Sequence, residues 1–190
     1  MKAGFLLAPE LLDESEIRHL RAEAFAERPH WERRDRPGWQ VVDDKQFLGP
    51  AHFWFGITGD YRLEVERTLA ERLVDAAGLD VRPVQSNYLY YGDGDYLGLH
   101  HDQQRCPYSV IVLLDGEAEP LCLHPELIGT RPEGLARLLE PGGHHGGTLI
   151  SLADGPLLVS GTTIPHHREP HALPEMITIV TFCFAPAQEV

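Results

Sequence analysis

The sequence has few cysteines, few basic residues and no long apolar run, and each shortage excludes a class of protein. Cys106, Cys122 and Cys183 are the only cysteines, and none belongs to a CxxC pair. We therefore expect a reducing, cytoplasmic setting with neither a disulfide framework nor a structural zinc site. No apolar run is long enough to cross a bilayer, and we expect residues 1–9 to form a first strand rather than a targeting segment.

The scarcity of basic residues argues against nucleic acid as a partner. Sixteen Lys and Arg face 29 Asp and Glu, which gives a net charge of −13 that repels phosphate backbones. Arg33, Arg34 and Arg36 form the one basic patch, and acids and a proline interrupt it. We interpret that patch as a solvated loop, with a grip on an anionic substrate as the less favoured alternative. The sequence thus favours a small-molecule substrate over nucleic acid or a membrane, and no pattern indicates an oligomeric state.

Length and composition favour one domain over residues 1–190, because 43% hydrophobic residues in a chain of this size can bury a sizeable core. Helical periodicity predicts helices over 11–27 and 61–77, the second ending at Gly78. Residues 30–56 are aromatic and irregular. We interpret them as a long loop that forms a lid or substrate wall, or that simply packs on a sheet.

From residue 81 onward the pattern changes to short apolar strands separated by turns rich in glycine and aspartate. The predicted strands are 84–91, 96–101, 108–114, 120–124, 148–152, 156–159 and 176–184, with a short helix at 132–139. The glycine-flanked pair His144-His145 is expected in a surface loop. This order predicts an α+β fold in which residues 1–80 supply helical support and the aromatic loop, and residues 81–185 form a β-sandwich or jelly-roll core.

The triplet His100-His101-Asp102 carries the strongest chemical signal. Alternate side chains of a strand share a face, so His100 and Asp102 point the same way while His101 points to the other side. One imidazole and one carboxylate are two of the three ligands in the facial triad of non-haem Fe(II) oxygenases. A third ligand is available downstream as His166 or His167, just after a buried strand and turn.

The motifs occur in a familiar order: Tyr-Gly-x-Gly, Tyr-x-x-x-His-x-Asp, Gly-x-Leu-Leu-Val, a histidine and a final apolar strand. Over residues 84–184 this order resembles the Fe(II)/2-oxoglutarate dioxygenase superfamily, in particular its compact prolyl-hydroxylase-like branch. The resemblance implies a double-stranded β-helix with the N-terminal helices packed on one sheet. It also implies His100, Asp102 and one of two histidines as iron ligands. We prefer His166, since relatives with a Pro-His-x-Arg string bind metal through the first His, and keep His167 as the alternate.

The resemblance further implies an enzyme that uses Fe(II), 2-oxoglutarate and O2. Hydroxylation of a C–H bond is the usual outcome, with desaturation and cyclisation as variants. The substrate class we expect is a small molecule such as an amino acid or a natural-product intermediate, with a peptidyl side chain as the alternative because the prolyl-hydroxylase-like branch acts on proteins.

One position departs from the family pattern. An arginine that meets the far carboxylate of 2-oxoglutarate usually stands where this chain has Met176, while Thr178 holds the accompanying hydroxyl position. Arg168 is the first substitute, because it lies two residues beyond His166 on the same face of an extended segment. Arg105, and after it Arg82, are further substitutes, and each arginine has a surface salt bridge as its alternative role.

Several tyrosines surround the predicted ligands. By resemblance, Tyr90 or Tyr91 hydrogen-bonds the cosubstrate. Tyr96 has the same strand parity as His100 and is therefore expected to face the site and, with Arg105, to take part in catalysis. Packing in the core with a satisfied hydroxyl is the alternative for each tyrosine.

Three other functions compete with this hypothesis. A non-haem iron oxygenase that does without 2-oxoglutarate is favoured by Met176. A non-catalytic β-sandwich binding module predicts no tight metal binding. A cupin-type enzyme would have more histidines near the first ligand pair than this sequence has.

Overall fold

The structure is a computed structural model that describes residues 4–42, 46–57, 59–117, 120–138 and 146–188. The pair His144-His145 lies outside these ranges. The helices are α1 (Glu14–Ala26), α2 (Asp60–Ala77) and α3 (Pro132–Arg137). The strands are β1 (Phe5–Leu7), β2 (Glu32–Arg36), β3 (Gln40–Val42), β4 (Gln46–Leu48), β5 (Ala51–Gly56), β6 (Val81–Tyr91), β7 (Tyr96–His100), β8 (Tyr108–Asp115), β9 (Leu121–Leu123), β10 (Thr148–Ile150), β11 (Leu157–Val159), β12 (His166–Arg168) and β13 (Ile177–Pro186).

Carboxylate side chains accept the first N–H groups of the two long helices. Asp13 caps α1, because its carboxylate accepts the Glu16 N–H at 2.8 Å while the Glu16 carboxylate accepts the Asp13 N–H at 2.9 Å. No side chain of its own caps α2. Instead Glu23 of α1 accepts the N–H groups of Tyr61 and Arg62 at 2.9 and 3.0 Å, which ties the two helices together. Within the described ranges, no helix is long and apolar enough to cross a membrane.

The strands form one strongly curled antiparallel sheet. Its path runs β1-β11-β8-β13-β6-β5-β7-β12-β9-β10. Strand β5 makes the fold-over, since its end pairs with β6 and its beginning pairs with β7. The two halves therefore face each other as a double-stranded β-helix, or jelly roll, which confirms the predicted fold.

Two apolar layers hold the fold together, and alternation along β13 separates them. Val180 and Phe182 pack with α1 and α2 on the outer side of the sheet, through buried residues such as Leu20 and Leu69. Ile179 points into the roll with the second cluster. Side chains at odd positions of β13 thus face the interior of the roll, and those at even positions face the helices.

The predicted helices and strands are confirmed within a few residues, but the stretch 30–56 is not the irregular loop that was expected. Its described residues contain β2 to β5, and all five residues of β2 pair with β5. The Arg33 and Arg34 guanidinium groups lie 4.8 and 4.2 Å from the ring centres of Trp54 and Phe55. Cross-strand cation–π contacts therefore fit this charged and aromatic stretch into a sheet.

The expectation of no disulfide is wrong. Cys106 and Cys183 are bonded to each other, although 77 positions separate them. The fold brings β13 beside β8, where Cys183 lies opposite Ser109, and sequence spacing alone gives no sign of this proximity. Disulfides are typical of oxidising compartments, so the cysteines do not support the cytoplasmic prediction. Cys122 keeps a free, buried thiol.

Candidate metal centre

His100, Asp102 and His166 converge on one point at the inner wall of the roll. His100 ends β7, His166 begins β12, and the two residues are directly paired across these strands. The Asp102 Oδ1 atom lies 3.7 Å from Nε2 of each histidine. One ligand atom from each residue lies within 4.8 Å of the other two, so this trio could hold a metal ion.

Backbone hydrogen bonds orient both imidazoles in the same way. His100 Nδ1 lies 2.9 Å from the Gly98 carbonyl, and His166 Nδ1 lies 2.9 Å from the Ile164 carbonyl. Because a carbonyl only accepts, each Nδ1 carries the hydrogen and each Nε2 presents a lone pair to the shared point. Burial, and then the neighbouring His166, hold the pKa of His100 well below its ordinary value, so the ring stays in its neutral, ligating form.

Asp102 is held by contacts on both its side chain and its backbone. The Ser109 hydroxyl donates to Oδ2 at 2.6 Å, and the Asp102 N–H donates to the Gly161 carbonyl at 2.9 Å. A Cβ on Gly161 would lie 2.5 Å from Asp102 Cγ, closer than carbon atoms can approach. The carboxylate therefore occupies the space that only a glycine leaves open.

We expect Gly161→Ala to move this carboxylate and to weaken Fe(II) binding by about 10- to 100-fold, as loss of a supporting partner does at other metal sites. Isothermal titration of the anaerobic protein with Fe(II) measures the change. Gly38→Ala is the matched control, because a Cβ there meets nothing within 4 Å. Wild-type affinity in Gly161→Ala would show that this contact does not position Asp102.

The trio opens into a cavity of ≈ 250 Å³ that two arginines also line. Arg168 is 3% exposed, and its guanidinium lies 5.4 Å from the ring centre of Tyr91. Burial raises the pKa of Tyr91 to about 12, so its phenol keeps the proton and can donate. Arg36, at the end of β2, donates to the Gly49 carbonyl at 2.5 Å, and burial lowers its pKa.

Tyr90 and Thr178 do not reach this cavity, which corrects the prediction that they bind the cosubstrate. The Tyr90 hydroxyl donates to the Ala24 carbonyl at 3.0 Å, and its ring stacks on Trp31 on the side of the helices. Thr178 is paired with Tyr90 across β13 and β6 and so shares that side. Met176 packs there as well. The inward positions of β13 are Ile177, Ile179, Thr181 and Cys183, none of which carries a charge.

Tyr96 does not face the cavity, although its strand parity with His100 predicted that it would. His166 pairs with His100, and Arg168 pairs with Leu97. The step along β12 is therefore two residues, whereas the step along β7 is three, so the register shifts between the two pairs. The extra residue is a β-bulge, which reverses the alternation. Leu97 therefore lines the cavity and Tyr96 does not, while the Tyr96 ring lies 6.5 Å from that of His52.

Arg105 stands outside the lining of the cavity. Its side chain is exposed and donates to Gln103 at 2.7 Å and to Gln85 at 2.5 Å. These two glutamines line the cavity, so Arg105 contacts residues of the lining without belonging to it. Arg82 is exposed near the start of β6 and is likewise absent from the lining.

His167 points away from the trio that His166 joins. Its Nδ1 lies 3.0 Å from Nε2 of His124 on the other face of β9 and β12. It is therefore not an alternate member of the His100 trio. Ser109 and Gly161 were not predicted from the sequence, and Arg36 was named only within the basic patch, whose less favoured role was to hold an anionic substrate. The basic cluster at 33–36 was the only signal that could have pointed to any of them.

No family model matches the sequence, and no curated protein is significantly similar to it. Solved structures share its fold over nearly the whole chain. SnoN, the non-haem α-ketoglutarate-dependent epimerase of nogalamycin biosynthesis, has a TM-score of 0.66 at 16% identity, covering 97% of this chain and 79% of its own. A Pseudomonas putida prolyl-4-hydroxylase scores 0.57 at 13% identity, covering 97% and 94%. HygX from Streptomyces hygroscopicus, solved with nickel and 2-oxoglutarate, scores 0.63 at 13% identity, covering 97% and 83%. This chain therefore has the double-stranded β-helix fold of the 2-oxoglutarate-dependent iron oxygenases.

Proposed function

We propose that this protein is an Fe(II)- and 2-oxoglutarate-dependent oxygenase that oxidises a C–H bond of a small molecule. One observation carries the proposal. His100, Asp102 and His166 meet on the wall of a cavity that Arg168, two residues beyond His166 on the same strand, also lines. A keto acid that chelates a metal and carries a second carboxylate requires two features. These are a trio of side chains that can hold the metal and a buried cation for the second carboxylate.

The donor atoms fit Fe(II). Two neutral imidazole nitrogens and one carboxylate oxygen form the 2-His-1-carboxylate set, which leaves neighbouring coordination positions open. When bound, Fe(II) with 2-oxoglutarate supplies O2 activation, coupled to oxidative decarboxylation of the keto acid to succinate. The chain contributes the orientation of its ligands, through the carbonyls of Gly98 and Ile164 and through the Ser109 hydroxyl.

Arg168 is the residue we assign to the far carboxylate of 2-oxoglutarate. A guanidinium binds a carboxylate through two parallel hydrogen bonds, and such a pair is strongest where water is excluded. Arg168 is buried beside the protonated phenol of Tyr91, which can donate a further hydrogen bond. In this proposal a cation on β12 takes the role of the arginine that the family pattern has at the position of Met176.

The size and charge of the cavity bear on the substrate. A space of ≈ 250 Å³ suits part of a small molecule beside the cosubstrate. HygX has been solved with hygromycin B bound, and SnoN with nogalamycin RO. Arg36 gives this cavity a second cation, so we propose a small, oxygen-rich substrate that presents a carboxylate or another acceptor group to it.

Anaerobic titration followed by exposure to O2 tests the proposal. We expect Fe(II) plus 2-oxoglutarate to produce a visible metal-to-ligand charge-transfer band, and O2 to yield succinate even without substrate, at a slow uncoupled rate. Fe(II) binding without a band on adding the keto acid would instead favour an oxygenase that does without 2-oxoglutarate. Failure to bind Fe(II) would leave a non-catalytic binding module.

A further inference from the structure

A second trio of side chains that could hold a metal ion lies on the face of β9 and β12 opposite to His166. Cys122 on β9 is paired directly with His167 on β12, and His124 follows two residues after Cys122 on the same face. A ligand atom from each of the three residues lies within 4.8 Å of the other two. Cys122 and His124 are buried, at 5% and 3% exposure. The proposed iron site does not use this cluster.

The distances within the cluster match those around a tetrahedral ion. Cys122 Sγ lies 3.6 Å from His124 Nε2, and His124 Nε2 lies 3.0 Å from His167 Nδ1. With Zn–S of about 2.3 Å and Zn–N of about 2.0–2.1 Å, tetrahedral angles put sulfur and nitrogen about 3.6 Å apart and two nitrogens about 3.3 Å apart. The donor atoms therefore need only small shifts to share one ion.

The outer nitrogen of each imidazole meets a carboxylate. His124 Nδ1 lies 2.9 Å from Glu126 Oε1, and His167 Nε2 lies 3.0 Å from Glu169 Oε1. A carboxylate only accepts, so these outer nitrogens carry the hydrogens. In the neutral rings, the two inner nitrogens then present lone pairs to each other at 3.0 Å. Two acceptors at that distance repel unless a metal ion or a proton lies between them.

Glycine leaves room beside the thiol. A Cβ on Gly147 would lie 2.5 Å from Cys122 Sγ and 2.9 Å from His124 Cε1. The backbone there thus passes directly over the sulfur and one of the rings. Histidines that bind zinc commonly donate their outer N–H to a carboxylate, as both imidazoles of this cluster do.

We propose that Cys122, His124 and His167 bind a Zn²⁺ ion in a second metal site, independent of the iron centre. A thiolate with two imidazoles suits zinc, whereas two imidazoles with a carboxylate suit ferrous iron, so the donor types direct the two metals to different faces of the same strands. Three protein ligands leave the fourth zinc position to water. The ion joins β9 to β12 behind His166.

Cobalt and zinc probe the site without reference to activity. In a His100→Ala/Asp102→Ala protein, one equivalent of Co²⁺ is expected to give a thiolate-to-cobalt charge-transfer band that Zn²⁺ abolishes. Cys106 and Cys183 are bonded to each other, so only Cys122 can supply the thiolate. Cys122→Ser in this background is expected to remove the band and to lower Zn²⁺ affinity at least 100-fold. Glu169→Gln is expected to lower it by about 10- to 100-fold.

His30→Gln, which changes an exposed histidine, is the matched control and is expected to keep wild-type Zn²⁺ affinity. X-ray absorption of the zinc-loaded wild-type protein needs no variant to fold, and is expected to show one sulfur scatterer at about 2.3 Å. A zinc shell without sulfur, or a cobalt band that survives Cys122→Ser, would overturn the site. So would the absence of any cobalt band, which would mean that a proton alone separates the two imidazoles.

Discussion

Replacing His166 with alanine is expected to abolish succinate production and to weaken Fe(II) binding by more than 100-fold. The substitution removes one of three ligand atoms rather than a supporting partner, whose loss costs about 10- to 100-fold in affinity. His166 Nε2 lies 3.7 Å from Asp102 Oδ1, and its ring centre lies 4.1 Å from that of His100. Anaerobic Fe(II) titration and succinate release measure the two effects.

The neighbouring histidine is the matched control. His167→Ala changes the same residue type at the next position, but that side chain contacts His124 and Glu169 rather than the trio. We therefore expect His167→Ala to retain the Fe(II)–2-oxoglutarate charge-transfer band that His166→Ala loses. The reverse pattern would mean that β12 presents its other face to the iron, and the proposed centre would be wrong.

Arg168→Gln is expected to raise the Kd of 2-oxoglutarate by about 100-fold, which corresponds to about 3 kcal/mol for a lost charge-assisted pair in a buried site. Fe(II) affinity should stay near that of the wild type, because the substitution leaves the three ligands in place. Titration of the charge-transfer band with the keto acid gives the Kd. Pyruvate, which lacks the far carboxylate, should bind the variant and the wild type about equally.

Two other arginines make this assignment specific. Arg105→Gln should leave the Kd of 2-oxoglutarate unchanged, since Arg105 is exposed and outside the cavity lining. Arg36→Gln alters the other cavity cation and is expected to have a smaller effect than Arg168→Gln. A larger loss in Arg36→Gln would transfer the cosubstrate carboxylate to Arg36 and make Arg168 a packing residue.

The parts of the fold that depend on local pattern were predictable from sequence. The capping box of α1 and the terminal glycine of α2 are formed by residues within or next to each helix. Strand β13 is a largely apolar run. Strands β2 to β5 were not predictable in this way. Within this stretch β2 pairs with β5 and β3 pairs with β4. The sheet is completed only by the later strands β6 and β7, which pair with β5 and β4.

Assignments of side chains to a face were less successful. Tyr96 was assigned to the cavity face from its strand parity with His100. A single β-bulge between the two residues reverses the alternation of side chains and turns Tyr96 to the other face. Tyr90 and Thr178 were assigned to the cosubstrate site from a motif pattern. Both side chains instead face the helices, and a motif does not indicate which face of a strand the helices cover. Tyr91 and Arg168 do line the cavity, because each lies on the inward face of its strand, and their contact with the cosubstrate stays a prediction.

The sequence by itself determined the chemistry that is available: an imidazole and a carboxylate two residues apart, a second pair of histidines downstream, and a cation just after that pair. Only the tertiary structure decided which histidine joins which site. Strand register carries His166 to His100 and His167 to Cys122, and adjacent residues of a strand must point to opposite faces. The same packing brought Cys106 to Cys183 and Arg36 into the cavity, because contacts between distant segments arise from chain closure and leave no local pattern.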